Sequence, residues 1–168
     1  MPKQSRFRPD FPEKFFLMIK VRKCHLTDLE AVTELARAYA SFDTTPTFAD
    51  IEGMHARNPE YFMVAEDDHG QVVGFVTGHE RNGIRDEVLI NWNAKKVGYV
   101  ELMAVDQSHR RTGVGRALMN GILDEFSRNN VDTINLDVPS EQAAAIGLYK
   151  SLGFSIRAYN MSKRLTGA

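Results

Sequence analysis

The sequence YVELMAV at residues 99–105 and the sequence RRTGVGR at residues 110–116 decide the fold. The first is an apolar run that predicts a buried strand. After the second, apolar residues recur every three or four positions, which predicts one face of an amphipathic helix. These residues are Val114, Leu118, Met119, Ile122, Leu123 and Phe126. The chain is therefore expected to run from a strand through a basic glycine-rich turn into a helix.

The basic turn has the features of an anion-binding site. The first turn of a helix has free N–H groups and the positive end of the helix dipole. Gly113 and Gly115 would let backbone N–H groups approach a diphosphate closely. Arg110, Arg111 and Arg116 add positive charge. The alternative is an ordinary strand-to-helix turn with arginines on its surface.

Two common phosphate motifs are absent from the sequence. No G-x-x-x-x-G-K-[ST] pattern occurs, so the chain has no P-loop. The dinucleotide pattern G-x-G-x-x-G is also missing, because Leu118 stands where the third glycine would be. What remains is Arg-x-x-Gly-x-Gly, at Arg110, Gly113 and Gly115.

A second pattern follows downstream. Apolar residues alternate over residues 134–138, as in a strand. Residues 143–152 then predict a short helix that ends at Gly153. This helix carries the pattern A-x-x-L-Y-x-x-x-G-F, at Ala145, Leu148, Tyr149, Gly153 and Phe154.

In this order and at this separation, the two patterns resemble those of the GNAT superfamily of acyl-CoA-dependent N-acyltransferases. The resemblance covers roughly residues 18–165 and is closest to ribosomal-protein alanine and protein N-terminal acetyltransferases. It implies an α/β fold with a mixed, mostly antiparallel central sheet flanked by helices. It also implies that strands 99–105 and 133–138 are parallel neighbours that splay apart.

The rest of the chain fits one domain, over residues 18–168, with residues 1–17 as a flexible N-terminal extension. The expected element order is β-α-α-β-β-β-α-β-α-β. We expect a strand at 18–22, then a helix that begins with a capping box of Thr27 and Glu30, and a second helix capped by Thr47. A hairpin of 61–66 and 72–79 should follow. We then expect either an extra strand at 88–92 or a long functional loop over 80–98, and finally a closing strand at 154–165.

The resemblance implies that acetyl-CoA is the co-substrate and lies in the gap where these two parallel strands splay apart. Its pantetheine amides would pair with the free backbone of the first strand, and the N–H near Val105 would polarise the thioester carbonyl. The residues implied to bind it are Met103, Ala104, Val105, Arg110, Arg111, Thr112, Gly113, Val114, Gly115, Arg116, Gln142, Ala145 and Tyr149.

Three side chains are candidates for catalysis. The amine must attack in its neutral form, so a base must take its proton. Glu101 interrupts an apolar strand, and simple alternation would put it on one face with Tyr99, Met103 and Val105. Asp137 stands where the ribosomal-protein acetyltransferases have a glutamate. The resemblance also implies that Tyr149 protonates the departing CoA thiolate. The alternatives are structural ion pairs or solvated carboxylates, and a tyrosine that only packs on the core.

The acceptor amine stays open at this point. The protein N-acetyltransferase branch often has R-x-x-N-x-x-A after the second strand, but Pro139 and Gln142 stand at the arginine and asparagine positions here. A protein or peptide amine is slightly favoured as the acceptor over a small-molecule amine such as a polyamine, amino acid or antibiotic. Tyr39, Phe42 and Trp92 could wall a peptide site. A non-catalytic acyl-CoA-binding regulator is the remaining alternative.

Composition narrows the function classes further. The chain has 168 residues, a formal net charge of −1 and 43% hydrophobic residues, so its charge gives no support for a nucleic-acid partner. It has one cysteine, Cys24, which predicts a structural thiol. Its five histidines are scattered, so we expect no metal. No apolar run is long enough to span a membrane. We expect a cytoplasmic enzyme, with a homodimer possible as in many relatives.

Overall fold

A computed structural model describes residues 18–40 and 45–163 of the chain. The expected extension at 1–17, Phe42 and the end of the expected closing strand lie outside the described residues. The strands are β1 (Lys20–Lys23), β2 (Phe62–Glu66), β3 (Val72–Glu80), β4 (Val97–Val105) and β5 (Thr133–Leu136). The helices are α1 (Leu29–Tyr39), α2 (Phe48–Arg57), α3 (Asp86–Trp92), α4 (Val114–Arg128) and α5 (Ala143–Ser151).

The strands form one sheet in the order β1-β2-β3-β4-β5. The first four are antiparallel, and β4 and β5 are parallel. Helices α1 and α2 pack on one face, around Phe62, Phe75 and Leu102, while α4 packs on the other. The mixed sheet flanked by helices is therefore confirmed.

The parallel pair separates as expected. Pairing between β4 and β5 runs from Val97 opposite Thr133 to Val100 opposite Leu136 and stops there. Strand β4 continues to Val105, so its last residues have no partner strand on that side. Because α4 follows β4 and α5 follows β5, this gap opens between the two segments that carry the sequence motifs.

A β-bulge lies in β4 at Glu101. Thr77 pairs with Leu102 and Gly78 pairs with Val100, which leaves Glu101 without a partner on β3. An extra residue in a strand resets the alternation of its side chains. The expected shared face of Glu101 with Met103 and Val105 is therefore wrong.

Three local expectations also need correction. The capping interaction before α1 is made by Asp28, which accepts the N–H of His25, because Thr27 lies inside a 3-10 turn that precedes the helix. Residues 88–92 belong to helix α3, which ends at Asn93 in the left-handed conformation, and not to a strand. Residues 154–163 contain no strand, since no neighbouring strand in the described part of the chain offers them hydrogen bonds.

Gly78 allows α4 to lie close to the sheet. An added Cβ would lie 2.5 Å from the Tyr99 carbonyl oxygen and 3.1 Å from the ring of Phe126. The carbonyl belongs to the adjacent strand and cannot rotate away, so Gly78→Ala should lower the free energy of unfolding by about 1–3 kcal/mol. Urea unfolding measures this. Gly147→Ala is the control, because nothing lies within 4 Å of its Cβ position and alanine favours the helix. Equal losses in both variants would contradict the explanation.

Candidate active site

Beyond Val100, the edge of β4 that faces β5 has no partner strand, and this vacated edge exposes the backbone of particular residues. Hydrogen-bonded and non-hydrogen-bonded pairs alternate along an antiparallel ladder. The N–H of Asp106 donates to the Val73 carbonyl at 2.9 Å, so the backbone N–H and carbonyl of Ala104, two residues earlier, also point to β3. The backbone N–H and carbonyl groups of Met103 and Val105 therefore point to the vacated edge. In agreement, the Val105 carbonyl accepts a hydrogen bond from Arg110 Nε at 3.2 Å.

The basic turn places the N-terminus of α4 at the end of this edge. Gly113 is the N-cap residue of α4 and has a φ of 97°, and Arg111 has a φ of 66°. Glycine adopts this left-handed region at little cost, which explains its presence at position 113. Gly113, at the N-cap position, has no side chain that could cap α4. Its first N–H groups therefore remain available to an anion.

The three arginines are held differently. Arg110 lies over the ring of Tyr39, with its Cζ 5.0 Å from the ring centroid. Arg116 donates from Nη2 to Ser151 Oγ at 2.7 Å and so connects α4 to α5. Arg111 is exposed. The turn thus has two arginines oriented by neighbours and one that points into solvent.

Gly115 has a packing role that the sequence did not reveal. A Cβ there would lie 3.3 Å from Leu148 Cδ2 and 3.9 Å from atoms of Met103 and Val105. Its small size therefore brings α5 close to α4 and over β4. Gly115 positions the helix that carries Tyr149, in addition to any role in approaching a phosphate.

The other residues implied to bind the co-substrate lie in the basic turn, in the first turn of α4 and at the start of α5. Thr112 donates from Oγ1 to the His109 carbonyl at 2.6 Å, which closes the basic turn. Val114 is fully buried and anchors the first turn of α4. Gln142 stands at the N-cap position of α5, and Ala145 lies in the first turn of that helix.

Tyr149 is partly buried on α5. Its ring meets the ring of Phe154 edge-on, with centroids 5.9 Å apart. Burial raises the pKa of its phenol above the ordinary value. The hydroxyl therefore stays protonated at neutral pH and can donate a proton.

Glu101 faces the side of the sheet opposite α4. Its Oε2 lies 3.4 Å from His79 Nδ1, and the ring of His79 is 5.5 Å from that of Tyr99. A cavity of about 290 Å³ lies here, lined by Arg57, Asn58, His79, Glu80 and Glu101. The bulge therefore places a carboxylate in a cavity beside the point where β4 and β5 separate.

Asp137 reaches the same face by a different route. It directly follows Leu136, the last residue paired with β4, and its Oδ2 accepts a hydrogen bond from Tyr99 Oη at 2.9 Å. Burial, together with this bond, raises the pKa of Tyr99 to about 12, so the phenol stays a donor. Tyr99 thus lies between the two candidate carboxylates. The sequence indicates only that Tyr99 alternates with Glu101 and does not reveal this contact.

Asp106 fixes the start of the basic turn. Its carboxylate accepts hydrogen bonds from the Ser108 side chain and N–H, from Tyr39 Oη at 3.2 Å, and contacts His109 Nδ1 at 3.2 Å. The bonds from Ser108 and His109 lower the pKa of Asp106 to about 2. The turn therefore depends on the ionised form of this side chain.

Asp106→Asn should lower the free energy of unfolding at pH 7 by about 1–2 kcal/mol. Because the folded-state pKa lies below the ordinary value of about 3.9, the contribution is complete above that pH and is lost as pH falls toward about 2. Urea unfolding in a series from about pH 7 down to about pH 2 should show the two proteins converging over the lowest part of the range. A difference that stays constant with pH would contradict this role.

The described residues contain no group of three or more His, Cys, Asp or Glu side chains arranged to hold a metal ion. Within that part of the chain, no helix is long and apolar enough to cross a membrane. Cys24 is buried, and burial raises the pKa of its thiol to about 12, as expected for a structural thiol.

The comparison with protein families agrees with this geometry. The profile of the acetyltransferase (GNAT) family matches residues 29–154, which include the splayed strands, the basic turn and Tyr149. The chain belongs to the GNAT family. The sequence resemblance is thereby confirmed.

Individual relatives of this GNAT protein are named as protein acetyltransferases. An N-alpha-acetyltransferase from Sulfurisphaera tokodaii is 30% identical over 136 residues, covering 80% of this chain and 79% of that protein. The ribosomal protein bS18 alanine N-acetyltransferase of Escherichia coli K12 is 47% identical over 53 residues. That match covers 32% of this chain and spans only 36% of the relative's length.

Solved structures share the fold. Ard1 from Thermoplasma volcanium superposes with a TM-score of 0.70 at 32% identity, covering 83% of this chain and 84% of that one. The aminoglycoside N-acetyltransferase AAC(6')-Iy in complex with CoA gives a TM-score of 0.71 at 17% identity, covering 90% of this chain and 97% of that one. At that identity the second likeness shows the fold alone.

Proposed function

We propose that this GNAT protein is an acetyl-CoA-dependent N-acetyltransferase that passes the acetyl group directly to a primary amine of a protein or peptide. The observation that carries the proposal is the vacated edge of β4, which leads directly into the Arg110–Arg116 turn. An extended ligand with amides and a diphosphate matches both parts in order.

The residues present fit this co-substrate. Met103 and Val105 offer backbone groups to its amides, and the N-terminus of α4 with Arg111 and Arg116 offers positive charge to its diphosphate. Ala104 keeps its place in the strand, with its own backbone groups turned to β3. When bound, acetyl-CoA supplies an acetyl group activated as a thioester.

Two proton transfers fall to side chains of this chain. Glu101 takes a proton from the acceptor ammonium, directly or through water, so that the neutral amine can attack. Tyr149 donates its phenolic proton to the departing thiolate, for which its raised pKa keeps it protonated. Asp137, held by Tyr99, binds the amine from the other side. The N–H of Val105 stabilises the negative charge that develops on the carbonyl oxygen.

The relatives support a protein or peptide acceptor over a small one. The Sulfurisphaera tokodaii relative, which matches 80% of this chain, is named an N-alpha-acetyltransferase, so the acceptor group we favour is an α-amino group. A small-molecule amine is the second candidate, because the cavity beside Glu101 is only about 290 Å³ and is lined by two acidic residues, Glu80 and Glu101.

Release of free thiol from acetyl-CoA tests the proposal. The acceptor panel contains short peptides that vary at the first residue, peptides with a blocked N-terminus and one lysine, polyamines and aminoglycosides. Turnover with free N-terminal peptides is expected. Turnover with small amines alone would show that the acceptor is a small molecule and not a peptide. Failure to bind acetyl-CoA would exclude the proposed activity.

A further inference from the structure

We propose that the acceptor peptide carries an acidic side chain at its second or third residue, which Arg81 and Arg157 bind beside Trp92. This inference rests on the proposed function and names its substrate class. None of the proton-transfer steps above uses these three side chains.

The two arginines share one aromatic ring. Arg157 Cζ lies 4.6 Å from the ring centroid of Trp92, and Arg81 Cζ lies 5.9 Å from it. Arg81 also lies 5.9 Å from the ring centroid of Tyr99. Its backbone is fixed just beyond β3, where its N–H donates to the Val97 carbonyl at 2.8 Å. Helix α3 therefore brings Trp92 to a point where two cations converge.

These cations lack a carboxylate partner. Within residues 18–40 and 45–163, neither Arg81 nor Arg157 forms an ion pair. The nearby Glu80 is already paired with Lys96 at 2.8 Å, and Asp137 accepts from Tyr99. Both arginine residues are exposed. An incoming carboxylate would gain a cationic partner beside Trp92 and accept charge-assisted hydrogen bonds from these guanidinium groups.

The cationic pair adjoins the amine site. Tyr99 contacts Arg81 with its ring and donates to Asp137 with its hydroxyl. On β5, Asn135 is the register partner of Tyr99, and its Oδ1 lies 3.4 Å from Arg157 Nη1. An extended peptide advances about 3.3 Å per residue. A peptide whose amine lies by Glu101 or Asp137 thus places its second or third side chain near the arginines.

The experiment compares matched acceptor peptides with acetyl-CoA. Each pair differs only by Asp against Asn, or Glu against Gln, at the second or third residue. We expect the KM of the acidic member to be about tenfold lower, with kcat little changed, because the contact is made before and during transfer. Trp92 is the one tryptophan of the chain, so its emission gives a second readout of peptide binding.

Variants assign the effect to the arginines. The double variant Arg81→Gln and Arg157→Gln should abolish the preference for acidic peptides while the dissociation constant for acetyl-CoA stays unchanged. Arg157→Glu should favour peptides with lysine at the same position. Arg85→Gln is the control, because Arg85 is exposed on the same connection but faces Glu87, with their charged atoms 3.8 Å apart.

The outcomes separate the two proposals. Equal KM values for acidic and amide peptides, or a preference that survives in the double variant, would overturn this inference and leave the acetyltransferase proposal intact. Absence of turnover with every peptide, despite binding of acetyl-CoA, would overturn the peptide acceptor and this inference with it. Loss of the preference in Arg85→Gln as well would show that general surface charge causes it.

Discussion

Tyr149→Phe is expected to lower kcat by at least about 100-fold, because positioned acid catalysis contributes about 10²–10⁴-fold. The phenol is partly buried on α5, and its raised pKa keeps the proton available at neutral pH. Phenylalanine keeps the ring and its edge contact with Phe154. Steady-state thiol release measures kcat, and equilibrium titration measures acetyl-CoA binding, which should not change.

The matched control is Tyr159→Phe, since Tyr159 is 81% exposed and lies on the segment after α5. It should leave kcat unaltered. A Tyr149→Phe enzyme that retains full turnover would remove Tyr149 as the acid, and Tyr149 would then be a packing residue. Loss of acetyl-CoA binding together with turnover would indicate a structural effect instead of a catalytic one.

Glu101→Gln is expected to lower kcat/KM by about 100-fold or more at neutral pH, through loss of the base. The amide keeps the size of the side chain in the bulge but cannot take a proton from the ammonium. The variant should therefore recover activity as pH rises and more of the acceptor amine becomes neutral. A pH profile of kcat/KM from pH 6 to pH 10 measures this recovery.

Asp137→Asn should have a smaller effect, about tenfold and mainly on KM, since Asp137 is exposed and already accepts a hydrogen bond from Tyr99. Glu87→Gln is the control for general charge loss, because its side chain is 82% exposed on α3. If Asp137→Asn instead shows the larger loss with the alkaline recovery, Asp137 is the base and Glu101 binds the amine.

Local patterns in the sequence were enough to predict the strand, the basic turn and the helix over residues 99–126. Each element there is specified by its own residues: an apolar run, glycines that permit unusual backbone angles, and an apolar stripe at helical spacing. The same holds for Thr47, whose side chain caps α2 as expected. The elements that we propose to bind the co-substrate could thus be predicted from short segments and a family resemblance.

Tertiary structure decided the arrangement of the residues that we propose to bind the acceptor amine. The face of Glu101 depends on a bulge that arises only when β4 pairs with β3, so alternation within β4 alone gave the wrong face. The role of Gly115 depends on the approach of Leu148 from another helix.

The convergence of Arg81 and Arg157 on Trp92 joins the connection between β3 and β4 to the segment that follows α5. Sequence by itself determined the local elements over residues 99–126 and the family of the chain, because those signals are short-range. Only the packing of elements distant in the chain decided which side chains meet beside the point where β4 and β5 separate.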